Sequence, residues 1–167
     1  FAQLVIDVES EVYNKLPSSL NLKKPGMINK VLCIDDDQIT LVLCEMVIKK
    51  AGFAKEVVTA NNGKEGLGWF SALFSKSNTA ANKEPPQIIF LDLNMPVMNG
   101  WDFLEDYLMK YSDRLPGTKV VIVSSTVNPE DFSRANRYDI VIDFINKPLT
   151  TEGLEELMNN EQVSEFF

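Results

Sequence analysis

QIIFLDLNMPVMNG, residues 87–100, decides the fold. Ile88 to Leu91 is a continuous apolar run, the pattern of a strand buried on both faces in a parallel sheet covered by helices. The run stops at Asp92, which places a carboxylate at a strand's carboxyl end, the edge where open α/β sheets form their ligand crevice. Asn94, Met95, Pro96, Asn99 and Gly100 follow. Proline fixes one φ angle and glycine permits a positive one, so the segment after Asp92 reads as a sharp, defined turn.

The same rhythm of strand, loop and helix extends outward in both directions. Upstream, Val31 to Ile34 reads as a buried strand that stops at Asp35, Asp36 and Asp37. Asp37 is placed to cap a helix over Gln38 to Lys50, which carries Ile39, Val42, Leu43, Met46 and Val47 at helical spacing. Val57 to Ala60 is the second strand, and Lys64 to Phe74 a second helix with Leu67, Phe70 and Phe74 as its inner face. Ser75 to Pro86 reads as a long exposed loop.

Downstream, Trp101 to Tyr111 has Phe103, Leu104, Tyr107 and Leu108 at helical spacing. Lys119 to Val123 is a fourth buried strand that stops at Ser124, Ser125 and Thr126. Asn128 and Pro129 have the order of an N-cap and first helical residue, opening a short helix to about Tyr138. Ile140 to Ile145 is the fifth strand, ended by Lys147 and Pro148, and Thr150 or Thr151 caps the last helix. Five strands alternating with five helices predict an α/β domain with a parallel sheet covered on both faces.

A chain of 167 residues suits one core better than two, and a hydrophobic fraction of 45% with a charged fraction of 24% is that of an ordinary globular protein. The net charge of -8 argues against direct nucleic-acid binding, which needs clustered Lys and Arg. Cys33 and Cys44 lie in apolar segments and read as buried thiols in a reducing compartment. The sequence has no histidine, which removes His-dependent triads, zinc sites and a phosphoacceptor histidine of its own. No apolar run is long enough for membrane insertion, and Phe1 to Glu9 lacks the basic lead-in of a signal peptide, so a cytoplasmic location is expected. Residues 1–26 read as an N-terminal extension or an appended leader, 27–162 as the domain and 163–167 as a C-terminal tail expected to fray.

In a parallel sheet the carboxyl ends of the strands share one edge. Asp35 and Asp36 from strand one, Asp92 from strand three, Ser124 from strand four and Lys147 from strand five should meet there. Three carboxylates brought together repel one another, and a hard divalent cation such as Mg²⁺, which prefers oxygen ligands, removes the conflict. Lys147 adds a cationic donor and Ser124 a neutral hydroxyl, which suit phosphoryl oxygens. Asp92 is then the natural nucleophile, forming an acyl phosphate.

The marks IDDD at Ile34 to Asp37, LDLNMPVMNGW at Leu91 to Trp101, VSST at Val123 to Thr126 and INKP at Ile145 to Pro148 are together specific. With them the chain resembles the receiver domain of bacterial two-component response regulators, of the single-domain chemotaxis type, over roughly Asn29 to Asn160. The resemblance implies a flavodoxin-like, doubly wound, three-layer fold with a five-stranded sheet of order 2-1-3-4-5. It implies phosphorylation on Asp92, with Mg²⁺ held by Asp35 or Asp36, Asp92 and the backbone carbonyl of Asn94. It casts Ser124 and Lys147 as phosphoryl-sensing residues and Phe144 as the aromatic switch, and it implies a Lys147–Pro148 peptide that is often cis. Asn94 and Thr126 flank the site and are expected to modulate hydrolysis.

The function expected is a phosphoacceptor switch. A histidine kinase or histidine phosphotransfer protein donates the phosphoryl group, and the switched surface meets a downstream protein target. It is expected to be mainly a phosphoacceptor switch, able to phosphorylate itself from small phosphodonors and to dephosphorylate itself. Two alternatives stand beside this. A haloacid-dehalogenase-like phosphatase would use Asp35 and Asp37 but leaves Asp92 without a role, and a pseudo-receiver would keep the fold and bind partners without phosphorylation.

Overall fold

The computed structural model describes residues 26–75, 84–126 and 128–167. Five strands, β1 (Ile28–Ile34), β2 (Ala54–Ala60), β3 (Ile88–Leu91), β4 (Lys119–Ser124) and β5 (Val141–Asn146), form one parallel sheet in the order β2-β1-β3-β4-β5. The connections are α1 (Gln38–Lys50), α2 (Gly63–Leu73), α3 (Gly100–Tyr111), α4 (Pro129–Ala135) and α5 (Thr151–Met158), followed by a short α6 (Glu161–Ser164). This is the doubly wound, flavodoxin-like order expected.

Strand alternation sorts the core into two layers. Leu32 and Ile34 of β1, Ile89 and Leu91 of β3, and Val120 and Ile122 of β4 face α2, α3 and α4, where Phe70, Phe103, Leu104 and Tyr107 are buried. Val31 and Cys33, Ile88 and Phe90, and Val121 and Val123 face the other way, against Leu41, Cys44 and Ile48 of α1 and Leu154 and Leu157 of α5. Burial on both faces is what the continuous apolar runs require, and each large side chain removed from water contributes about 1.5–3 kcal/mol. Side-chain caps start the helices: Asp37, Asn62, Asn99, Asn128 and Thr150 each accept a hydrogen bond from a backbone N–H of the first turn.

Three readings change. The stripe Ile39, Val42, Leu43 and Met46 does not face the sheet; these side chains are 71%, 57%, 48% and 61% exposed, while Leu41, Cys44 and Ile48 make the contact. Both stripes are apolar, and periodicity alone cannot choose between them. The positive φ of the turn after Asp92 falls on Met98, at 147°, and not on Gly100. Gly100 is required for a different reason, because a Cβ there would run into the carbonyl oxygen of Asp92 and come within 2.9 Å of Leu93 Cα. The tail does not fray: Val163 is fully buried and Phe166 and Phe167 pack on the α1/α5 core layer, with Phe167 5.5 Å from the Phe53 ring. The expected loop from Ser75 to Pro86 lies largely outside the described residues, as does the extension before Gly26.

Candidate functional site

The register of the sheet builds the site. Ile34 pairs with Leu91, and Leu91 with Ile122, so the first residues beyond β1 and β3 emerge side by side. Their backbones continue the ladder by one more bond each: Asp35 N donates to Ala60 O at 3.1 Å, and Asp92 N donates to Ile34 O at 2.9 Å. Both carboxylates are therefore fixed by main chain and are buried, whereas Asp36 is exposed. On the far side Ser124 pairs with Asn146, and Lys147 N donates to Ser124 O at 2.9 Å. That bond brings Lys147 back over the edge. The Lys147–Pro148 peptide is cis.

Lys147 Nζ lies 2.5 Å from Asp35 Oδ2 and 3.1 Å from Asp92 Oδ1. The other oxygen of Asp35, Oδ1, accepts from Asp37 N at 3.0 Å, which holds the loop entering α1. Burial pushes the Asp92 carboxyl above its usual pKa, opposed by the charge and hydrogen bond of Lys147 and reinforced by Asp35 and Asp36. For Lys147, burial works against the charged form, yet the hydrogen bond and charge of Asp35, with those of Asp92, hold its pKa above the ordinary lysine value.

Asp35, Asp36 and Asp92 each offer an oxygen, all within 4.8 Å of one another. Three carboxylates against one ammonium leave an excess of negative charge in a largely buried pocket. Hard oxygen donors at this spacing fit a small divalent cation. The first residue of α3 is tied to the turn after Asp92, Gly100 N donating to Leu93 O at 3.0 Å.

The sequence pattern of the response regulator receiver domain matches residues 31–159, most of the chain. The chain belongs to the response regulator receiver domain family. As a receiver domain it is a phosphoacceptor module of two-component signalling. It is similar to a two-component response regulator from Cytophaga hutchinsonii, 29% identical with a TM-score of 0.71, the alignment covering 80% of this chain and 96% of that one. A probable methanogenesis regulatory protein, FilR2 of Methanothrix harundinacea, is 23% identical over 82% of each chain. A protein-glutamate methylesterase/protein-glutamine glutaminase of Bacillus subtilis is 30% identical over 81% of this chain, which spans only 34% of that longer protein.

Of the residues singled out in the receiver sequence, Asp35, Asp36, Asp92 and Lys147 come together as one cluster. Ser124 is buried on the neighbouring strand, but its hydroxyl is engaged within its own loop, donating to Thr126 O at 3.2 Å and accepting from Thr126 N at 3.4 Å. Asn94 and Thr126 are exposed. Phe144 is half-buried, its ring 6.2 Å from that of Phe132 of α4, beside a cavity of about 110 Å³ that both line with Ala135 and Val141.

The sequence reading missed a set of side chains that joins α3 to α4. Arg134 lies over the Trp101 ring at 4.5 Å and its Nη2 meets Glu105 Oε1 at 2.7 Å, while Tyr138 Oη donates to that same oxygen at 3.3 Å. Trp101 and Glu105 lie one turn apart on α3, but Tyr138 lies beyond the end of α4, which stops at Ala135 and not near Tyr138 as the sequence pattern suggests, so helical spacing gave no signal for the set. Among the described residues no helix is long and apolar enough to cross a membrane.

Proposed function

We propose that Asp92 is the phosphoacceptor, with Lys147 and Ser124 as the groups that receive the phosphoryl oxygens. The observation that carries this is the placement of a buried carboxylate, fixed by main chain at the end of β3, against Lys147 at 3.1 Å and inside an oxygen cluster shared with Asp35 and Asp36. A carboxylate oxygen of Asp92 attacks phosphorus. The bond from phosphorus to the donor nitrogen breaks, its electron pair leaves on that nitrogen, which takes up a proton, and an acyl phosphate remains.

Asp35, Asp36, Asp92 and the backbone carbonyl of Asn94 are the groups that would hold Mg²⁺, and the ion would neutralise charge on the transferred oxygens. Lys147, already held by Asp35, turns its remaining donors to the phosphoryl group. For Ser124 to reach it, the hydroxyl must leave Thr126, and the loop into α4 must follow. Phe144, packed beside Phe132 of α4, is placed to respond to that shift, and the surface of α4, β5 and α5 is the one offered to a downstream target. Asn94 and Thr126, both exposed, would modulate the lifetime of the acyl phosphate.

The donor is a histidine kinase or histidine phosphotransfer protein, since the sequence contains no histidine. The exposed Ile39, Val42, Leu43 and Met46 support docking of that partner on α1: the stripe begins two residues beyond Asp37, at the rim of the carboxylate cluster. A cytoplasmic location accords with such a donor and with two buried, unpaired thiols.

The test is intact-mass analysis after incubation with phosphoramidate or acetyl phosphate and Mg²⁺, beside Asp92→Asn. A single Mg²⁺-dependent phosphoryl increment absent from the variant is expected. No increment and no Mg²⁺ binding by a folded chain would instead support a pseudo-receiver.

A further inference from the structure

The helix that must move when Ser124 moves is weakly anchored to the core. α4 spans seven residues, and Ala135 is the one residue it buries; Phe132 is 50% exposed. It follows the Ser124 loop directly. Arg134 of α4 and Tyr138, three residues past its end, are tied to α3 instead, and α3 begins immediately after the phosphoacceptor turn, with its first residue bonded to Leu93 O.

Four side chains make this tie. Trp101, 8% exposed, sits in the first turn of α3 and presents its ring to the Arg134 guanidinium at 4.5 Å and to the Tyr138 ring at 6.1 Å and 27°. Glu105, one turn along α3, offers one oxygen to both Arg134 and Tyr138. A guanidinium stacked on indole and paired with a carboxylate has its plane and its charge both satisfied, a geometry that lysine does not reproduce. In the same structure the Ser124 hydroxyl is bound within its own loop.

We infer that the Trp101–Glu105–Arg134–Tyr138 cage is a resting-state clamp, holding α4 on α3 and so opposing the loop movement that would take Ser124 toward a phosphoryl group on Asp92. Arg134 is thus a positioning residue for phosphorylation, acting through the loop that carries Ser124 and Thr126. The inference rests on the reading of Asp92 as phosphoacceptor. Releasing the clamp favours the phosphorylated arrangement, so loss of these contacts raises the phosphorylation rate, which mere loss of structural integrity would not do.

The experiment compares the full chain with Arg134→Ala, Arg134→Lys and Glu105→Gln by two readouts. The first is hydrogen exchange of the α4 amides without phosphodonor. The second is the initial rate of mass gain with phosphoramidate and Mg²⁺. Arg134→Ala is expected to speed both by about fivefold, the population shift that one partly exposed cation–π and ion-pair contact can supply. Arg134→Lys and Glu105→Gln should fall between. Unchanged exchange in Arg134→Ala overturns the clamp whether or not the chain takes phosphate. Faster exchange with an unchanged or lower rate of mass gain overturns its regulatory role. A wild-type chain that gains no mass refutes the Asp92 reading, and with it the link to phosphorylation, while the exchange data still judge the clamp.

Discussion

Replacing Asp92 by Asn should stabilise the metal-free chain. Asp92 stands within 4.8 Å of oxygens from both Asp35 and Asp36. Buried Asp35 and exposed Asp36 repel its charge, and Lys147 Nζ attracts it from 3.1 Å. The charge and the hydrogen bond of Lys147 together offset the two repulsions. Burial is then the main cost of the charge, in agreement with the raised pKa. An amide keeps the shape and removes the charge, and Lys147 is not orphaned, because Asp35 still holds it at 2.5 Å. The expected gain from relieving that burial is about 1–2 kcal/mol in urea unfolding at neutral pH with Mg²⁺ chelated.

The gain has a pH signature. Because the folded carboxyl has the higher pKa, the folded chain binds that proton more tightly than the unfolded chain does. Its contribution to stability is fully present below the unfolded value, about 3.9, and is lost as pH rises through the raised folded value. The advantage of Asp92→Asn over wild type should therefore grow from acid toward neutral pH and then level. Mg²⁺ should narrow it by stabilising the wild type, by about 2.7 kcal/mol at a hundred times its Kd and by less in the variant. A variant no more stable than wild type at neutral pH without Mg²⁺ would refute the reasoning that the buried charge of Asp92 costs this pocket stability.

Three further outcomes are expected. Gly100→Ala should cost about 1–3 kcal/mol in urea unfolding, because the added Cβ meets backbone of Asp92 and Leu93 that has no freedom to yield. Leu43→Glu should lower phosphotransfer from a histidine kinase that labels the wild type by about tenfold or more, the loss expected when a docking anchor is removed, while labelling by acetyl phosphate stays unchanged; equal losses with both donors would remove α1 as the docking face. Cys44, its thiol pushed up to about 11 by burial and then by Asp35, should react with iodoacetamide at pH 8 about a hundredfold more slowly in the native chain than in urea. Cys33, raised likewise by burial and by Cys44, should follow it.

The parts of the site that were legible from sequence are those governed by rules local to one strand. An apolar run that stops at Asp35, Asp92 or Ser124 says both that the strand is buried and that the polar residue stands at its carboxyl end. The parallel order then gathers these ends without further information. Side-chain contacts between elements carry no such rule. Which apolar stripe of α1 faces the sheet depends on what the sheet presents, and the docking of Phe167 on Phe53 joins residues far apart in the chain.

The α3/α4 cage belongs to this second kind, and its chemistry explains why it was not seen. Arg134 and Glu105 are 29 residues apart, and on a sequence each reads as one more charge on a solvated helix face. Only the close approach of Trp101 to α4, made possible because Gly100 lets α3 start against the Asp92 backbone, turns that exposed pair into part of a cage. A larger residue at position 100 would push α3 away from the site and the Trp101 ring away from Arg134 together. The close approach that seats the turn after Asp92 is therefore also what sets the contact proposed to restrain α4, so the clamp and the site share one structural cause.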